Sequence, residues 1–282
     1  MPAGERKQFY RLISEAIDDV IEHGFDSQAR LESWLKRLEI AARRALVPEI
    51  VLDRALRNAL TAIYRRMLES GGLKRRHKGI DKYTLAAIKP KLRSELDRRI
   101  LASADLIRLN RAASIQRTLQ RFAGWATAVP AGGTDAADRR EVKKRLRKGI
   151  AALPFEERRV IIDQGQKLVA AINDVVATDG GAIAGIWHSR WREPGYDYRD
   201  DHKERDRLIY VLRDNWAIRK GLMKLAGAEY TDQVTQPGEE VFCRCRYEYL
   251  YTLRDLPAAM LTQRGRDALA EARARIALHH AA

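Results

Sequence analysis

The chain has 282 residues, 45% hydrophobic and 32% charged, which is enough for one large or two ordinary domains with a buried core. Its formal charge of +15 belongs wholly to residues 1–150, where 33 Lys/Arg face 18 Asp/Glu, while residues 151–282 carry 20 of each. No apolar run approaches the roughly 20 residues needed to cross a bilayer. The start, MPAGERKQFY, lacks the apolar core of a secretory signal, so the chain is expected to fold in a reducing cytoplasm.

Taken in order, the first elements read as helices. Phe9, Leu12, Ile13, Ala16, Ile17 and Val20 recur at the three-and-four spacing of one helix face, and Gly24 suits the residue after its end. Asp26 or Ser27 can cap a second helix that buries Leu31, Trp34, Leu35, Leu38 and Ala42. Pro48 opens a third, with Ile50, Leu52, Leu56, Leu60, Ile63, Tyr64 and Met67 as its stripe, and SGG at 70–72 ends it. A basic loop follows at 74–83, KRRHKGIDKY, in which six of ten residues are Lys, Arg or His. One long helix or two is expected from Pro90 to about Gly124, burying Leu92, Leu96, Ile100, Leu101, Ile107, Ile115, Leu119 and Phe122. Arg98, Arg99, Arg108, Arg111, Arg117 and Arg121 fall mostly off that stripe.

VPAGGTDAAD, 129–138, carries the clearest linker composition. It divides a basic helical domain, 1–128, from a second domain, 139–282, in which helices at 141–150 and 155–177 give way to β texture after DGG. AIAGIWHSRW and EVFCRCRYEYLY read as strands, with a short helix around His202 between them, and LTQRGRDALAEARARIALHH closes as an amphipathic helix. The fold class is therefore α+β and predominantly α: an extended all-helical N-terminal half, then a small α+β domain with a short antiparallel sheet.

The chemistry is sparse. Cys243 and Cys245 are the only cysteines. On a strand they share a face, with Arg244 and Arg246 on the other. Two readings stand together: small apolar filler, or half of a tetrahedral zinc site with His202 as third ligand and His188 as a poorer fourth. In YDYRDDHKERDRLIY, Asp201 or Asp206 could orient His202 for catalysis, yet a charged loop closing on a helix explains the same residues. No phosphate loop, dinucleotide fingerprint, zincin motif or nucleophile elbow occurs, so no catalytic residue is assigned and an enzyme is not expected. The basic loop and arginine-bearing helix are the stronger feature. Lys74, Arg75, Arg76 and Lys78, then Arg98, Arg99, Arg108 and Arg111, are the candidate contacts to DNA or an acidic protein surface. Nothing resembles a base-reading motif, so contact with double-stranded DNA would be non-specific and salt-sensitive.

From about Arg158 onward the chain resembles the phage Mu F-like family of minor head (head morphogenesis) proteins. A helix runs into a tryptophan-bearing strand in LVAAINDVVATDGGAIAGIWHSRW; Arg199-Asp-Asp-His202 follows, with Arg205-Asp206; and Pro237-Gly238 precedes Cys243-Arg244-Cys245. Where the family has a glycine after Asp206, this chain has Arg207. The resemblance implies Arg199, Asp206, Pro237 and Gly238 as structural motif residues. It also implies a structural protein made in the host cytoplasm and carried in the virion, in the head interior or at the portal vertex. Its partners would be the portal, in several copies, other head proteins and packaged DNA, and its role head assembly, DNA packaging or ejection. Set beside the histidine motif, the thiols are expected to converge on His202, bound to zinc or hydrogen-bonded. The alternatives are a non-specific nucleic-acid-binding protein and a metal-dependent hydrolase or nuclease built on His202 and the Cys-x-Cys.

Overall fold

The computed structural model describes residues 3–69, 73, 76–77, 80, 82–130 and 139–281. Lys74, Arg75 and Lys78 of the basic loop, and most of the 129–138 linker, lie outside the described residues. The fold is α+β and predominantly α. Its two compact units are not successive halves of the chain: one joins Met1–Ala59 to Ile100–Ile162, the other Leu60–Arg99 to Asp163–Ala282. A boundary at 129–138 therefore does not describe this division, because three long helices each lend residues to both units.

The first unit is helical. Helix α1 (Ala3–His23) ends where Gly24 takes a φ of +64° and its N–H bonds Val20 O, a left-handed corner that favours glycine. Ser27 Oγ accepts from Arg30 N and so caps α2 (Gln28–Ala45). These helices share one core with the C-terminal part of α4 (Lys82–Ala126) and the N-terminal part of α5 (Arg139–Asp179), and the N-terminal part of α3 (Glu49–Glu69) belongs to the same unit. Phe9, Ile13, Ile17, Trp34, Leu38, Phe122, Leu146 and Ile150 are buried there. Trp34 keeps its indole N–H satisfied by donating to Asp19 Oδ2 at 2.6 Å.

Three expectations are corrected. Helix α4 starts at Lys82 and runs through Pro90 rather than starting at it, and α5 runs through Pro154 as one helix. Each proline deletes one helical hydrogen bond, but buried Ile88, Leu92 and Leu96 anchor the first helix on both sides, and Ile150 and Leu153 pin the second up to its proline. Ile50 and Leu101, placed in apolar stripes by spacing, are 70% and 66% exposed. The buried line of α4 instead passes through the small residues Ser103 and Ala104.

In the second unit β1 (Ala184–His188) is the central strand of an antiparallel sheet ordered β2-β1-β3, with β2 at Ile209–Val211 and β3 at Arg246–Leu250. Short helices α6 (Asp200–Glu204) and α7 (Trp216–Arg219) and three 3-10 turns fill the connections, and α8 (Gln263–Ala281) follows. The strand expected across 240–251 is realised only as β3, and both cysteines precede it in the irregular segment that follows a turn at 241–242. Trp187 lies opposite Tyr247, and Gly185 opposite Tyr210 and Tyr249. Among the described residues, no helix is long and apolar enough to cross a membrane.

Candidate metal centre

Helix α6 exists to place one residue. The chain enters it extended at Arg199 and leaves it after one turn, which buries His202 to 1% exposure. The turn ahead of β3 carries the thiols toward it. Phe242 takes a φ of +60°, and its N–H donates to Asp163 Oδ1 on α5 at 2.6 Å. Lys167 on α5 donates to Glu239 O at 2.6 Å. Gly238 has a φ of +88°, and a Cβ there would come within 2.8 Å of the Ala170 Cβ on α5. Glycine is needed at that corner both for its dihedral and for its lack of a side chain.

The result is a cluster that the sequence suggested by residue type. Cys243 Sγ lies 3.7 Å and Cys245 Sγ 3.5 Å from His202 Nδ1, with all three residues buried and their ligand atoms within 4.8 Å of one another. Together they form a group that could hold a metal ion. The opposite ring nitrogen, His202 Nε2, is buried without a hydrogen-bond partner, and carboxylate oxygens of Glu240 and Asp201 stand 3.7 and 3.9 Å from it. The two thiols do not titrate alike. The hydrogen bond between them draws Cys243 down to about 6 against the effect of burial, helped by the Gly238 N–H at 3.3 Å. The same bond and burial push Cys245 up. Of the two, Cys243 is the thiol that gives up its proton more readily.

The surrounding side chains join the two motif segments. Arg199 Nε pairs with Glu240 at 2.5 Å, and its Nη2 donates to Val241 O at 3.0 Å. Tyr196 Oη donates to Phe242 O and accepts from Arg244 N. Trp187, fully buried, meets the His202 and Tyr247 rings edge-on at 5.3 and 5.5 Å. The Trp187 indole N–H and the Tyr247 hydroxyl also lack partners, so three unsatisfied polar atoms gather around the thiols.

Two candidate residues fall elsewhere. His188 is outside the cluster and bonds Glu248 at 2.8 Å on the exposed side of the sheet. Asp206 does not orient His202. It accepts from Ser189 N, Trp191 Nε1 and Arg192 Nη1. Although burial raises its carboxyl, those donors outweigh burial and hold it below the usual carboxylate value. Arg207 after it keeps a φ of +71°, and its N–H donates to Trp187 O at 2.7 Å. The corner expected of glycine is thus built with arginine.

The basic candidates separate as well. Arg111 is not a surface contact: it is buried against Glu157 at 2.6 Å and donates to Val47 O. Arg108 is held by Asp53, Asp105 and Glu49. Arg76, Arg98 and Arg99 line a cavity of about 270 Å³ in the second unit, beside Cys243 and Cys245. Sequence reasoning missed Glu240, Tyr247 and Arg246, for which only the neighbouring Cys-x-Cys gave a signal, and Tyr196, which only the nearby Arg199-x-x-His202 marked. Compared with known protein families, curated proteins and solved structures, the chain matches none.

Proposed function

We propose that the chain is a structural minor head protein of a tailed bacteriophage, associated with the portal and packaged DNA, whose C-terminal module is tied together by zinc. One observation carries this reading. Arg199-x-x-His202 and Pro237-Gly238…Cys243-x-Cys245, the two motif segments of the resemblance, meet in one buried cluster joined by Arg199–Glu240. In a tetrahedral site with Zn–N near 2.0 Å and Zn–S near 2.3 Å, neighbouring N and S ligands stand about 3.6 Å apart. The nitrogen–sulfur distances of 3.5 and 3.7 Å fit that edge. A zinc held by Nδ1 would leave the proton on Nε2, where the Glu240 and Asp201 carboxylates could receive it as a hydrogen bond and fix the ring. The ion would cross-link α6 to the turn before β3 and hold both cysteines as thiolates.

The excess positive charge of residues 1–150 suits a position against DNA or an acidic portal surface. Mass spectrometry of purified procapsids and virions tests the reading: a few copies per portal are expected, and absence from both particles overturns it. Elemental analysis tests the zinc. About one zinc per chain, lost in His202→Ala, is expected; no stoichiometric metal, with melting unchanged by chelator, removes zinc from the proposal.

A second reading, a metal-dependent hydrolase, draws on the fact that three protein ligands leave one tetrahedral position open and both thiols line a cavity. It requires turnover that His202→Ala abolishes without lowering the melting temperature.

A further inference from the structure

The cavity beside the thiols is lined by seven Lys/Arg and three Asp/Glu. Several of these charges are already matched. Arg98 pairs with Glu95 at 2.5 Å, Arg190 with Glu193 at 3.2 Å, and Lys167 with Asp163 at 3.6 Å. Arg76, Arg244 and Arg246 are exposed and have no carboxylate partner among the described residues. Arg76 and Arg246 also repel: the Arg76 guanidinium is held below its ordinary value, first by desolvation and then by the charge of Arg246. Asp174, another carboxylate of the lining, accepts from the Tyr249 hydroxyl at 3.4 Å, and its carboxyl is raised above its ordinary value, first by desolvation. Tyr247 and Tyr249 complete the lining, and the buried Tyr247 hydroxyl has no hydrogen-bond partner.

Three arginines without a carboxylate partner among the described residues line one cavity with Tyr247, and together they form a donor set in search of an oxyanion. A planar carboxylate satisfies one fork. A phosphate presents oxygens in tetrahedral directions and can take hydrogen bonds from two arginines and a hydroxyl together. At about 270 Å³, the cavity has room for more than a bare ion.

We propose that this cavity binds a phosphate group, gripped by Arg76 and Arg246 with Arg244 at the rim. The phosphate comes either as a free phosphate or nucleotide, or as part of a nucleic-acid strand. The site takes Arg76 from early in the second unit, Arg244 from between the cysteines and Arg246 from the first position of β3, so it depends on the fold of that unit. It needs neither phage nor portal, and the protein's absence from virions would leave it standing.

The test is calorimetric titration of the full chain with inorganic phosphate, thymidine 5′-monophosphate and single-stranded oligo-dT. Saturable binding is expected, weakened about tenfold or more in Arg246→Gln and in Arg76→Gln. Arg275→Gln, which removes the same charge from exposed α8, should leave it unchanged. Equal affinity for phosphate and oligo-dT assigns the free-phosphate source, whereas oligo-dT binding with a steep salt dependence assigns the strand. Should Arg246→Gln melt early, Arg244→Gln and Arg246→Lys take its place, with partial retention expected for the lysine. No saturable binding by any probe, or equal weakening by Arg275→Gln, overturns the proposal.

Discussion

In the unit built from Met1–Ala59 and Ile100–Ile162, one cluster of aliphatic and aromatic side chains fills the interior, with Arg111–Glu157 as a buried ion pair beside it. In the unit built from Leu60–Arg99 and Asp163–Ala282, an apolar cluster around Ile183, Val211, Leu250 and Met260 stands beside buried polar groups: His202 with two thiols, and His77 bonded to Tyr251 and Asn173. The first arrangement is non-directional, and many apolar sequences of similar volume would satisfy it. The second needs particular donors at particular distances, since a buried polar group without its partner is costly. The contrast explains why the candidate chemistry gathers in the second unit although the surplus charge lies in the first 150 residues.

The largest effect that would sharpen this contrast comes from the first unit's buried ion pair, Arg111–Glu157. Glu157→Ala leaves Arg111 buried without its carboxylate and should cost about 3–5 kcal/mol. Replacing both residues by apolar ones of similar volume should recover most of that loss. Urea denaturation with hydrogen exchange checks it, with protection expected to fall first in Met1–Ala59 and Ile100–Ile162. A loss appearing first in the second unit would break the comparison.

Gly238→Ala tests the second unit through its backbone. The φ of +88° and the approach to Ala170 should together cost about 2 kcal/mol and shift the thiols. Thermal melting reads the cost, and thiol alkylation rates read the shift. A substitution that changes neither would show that the turn tolerates a side chain.

The smallest effect is a pH slope. Burial lowers His77 from its ordinary value, opposed by its bond to Asn173 and helped by the charge of Arg76. Below about pH 6.5 the unfolded chain protonates this histidine while the folded chain does not. Stability is therefore full above that pH and declines as pH falls toward the folded value. Denaturation midpoints between pH 7 and 5 should fall in the parent chain and flatten in His77→Gln. An unchanged slope would place the titrating group elsewhere.

Much of the first unit was legible because its helices obey a single periodicity: the stripes of α1 and α2 and the Ser27 cap follow from spacing and residue type. Exceptions arose where small residues, such as Ser103 and Ala104, carry the buried line in place of the apparent leucine. The second unit was legible by residue type more than by geometry. The alternation in EVFCRCRYEYLY imitates a strand, but Asp163 and Lys167 on α5 hold residues 239–242 in a turn, and Phe242 takes a left-handed φ. The cavity was illegible, since Arg76 and Arg246 lie far apart in sequence and come to line it only through folding.

Arg207 carries a consequence for how such chains are compared. Its φ of +71° and its bond to Trp187 O build the corner that a glycine would build more cheaply. What the position requires is a dihedral angle and one amide proton, and arginine supplies both. A search for the glycine alone passes such a corner by. An aspartate that receives the N–H at the end of the central strand, followed by a residue turned left-handed, describes it.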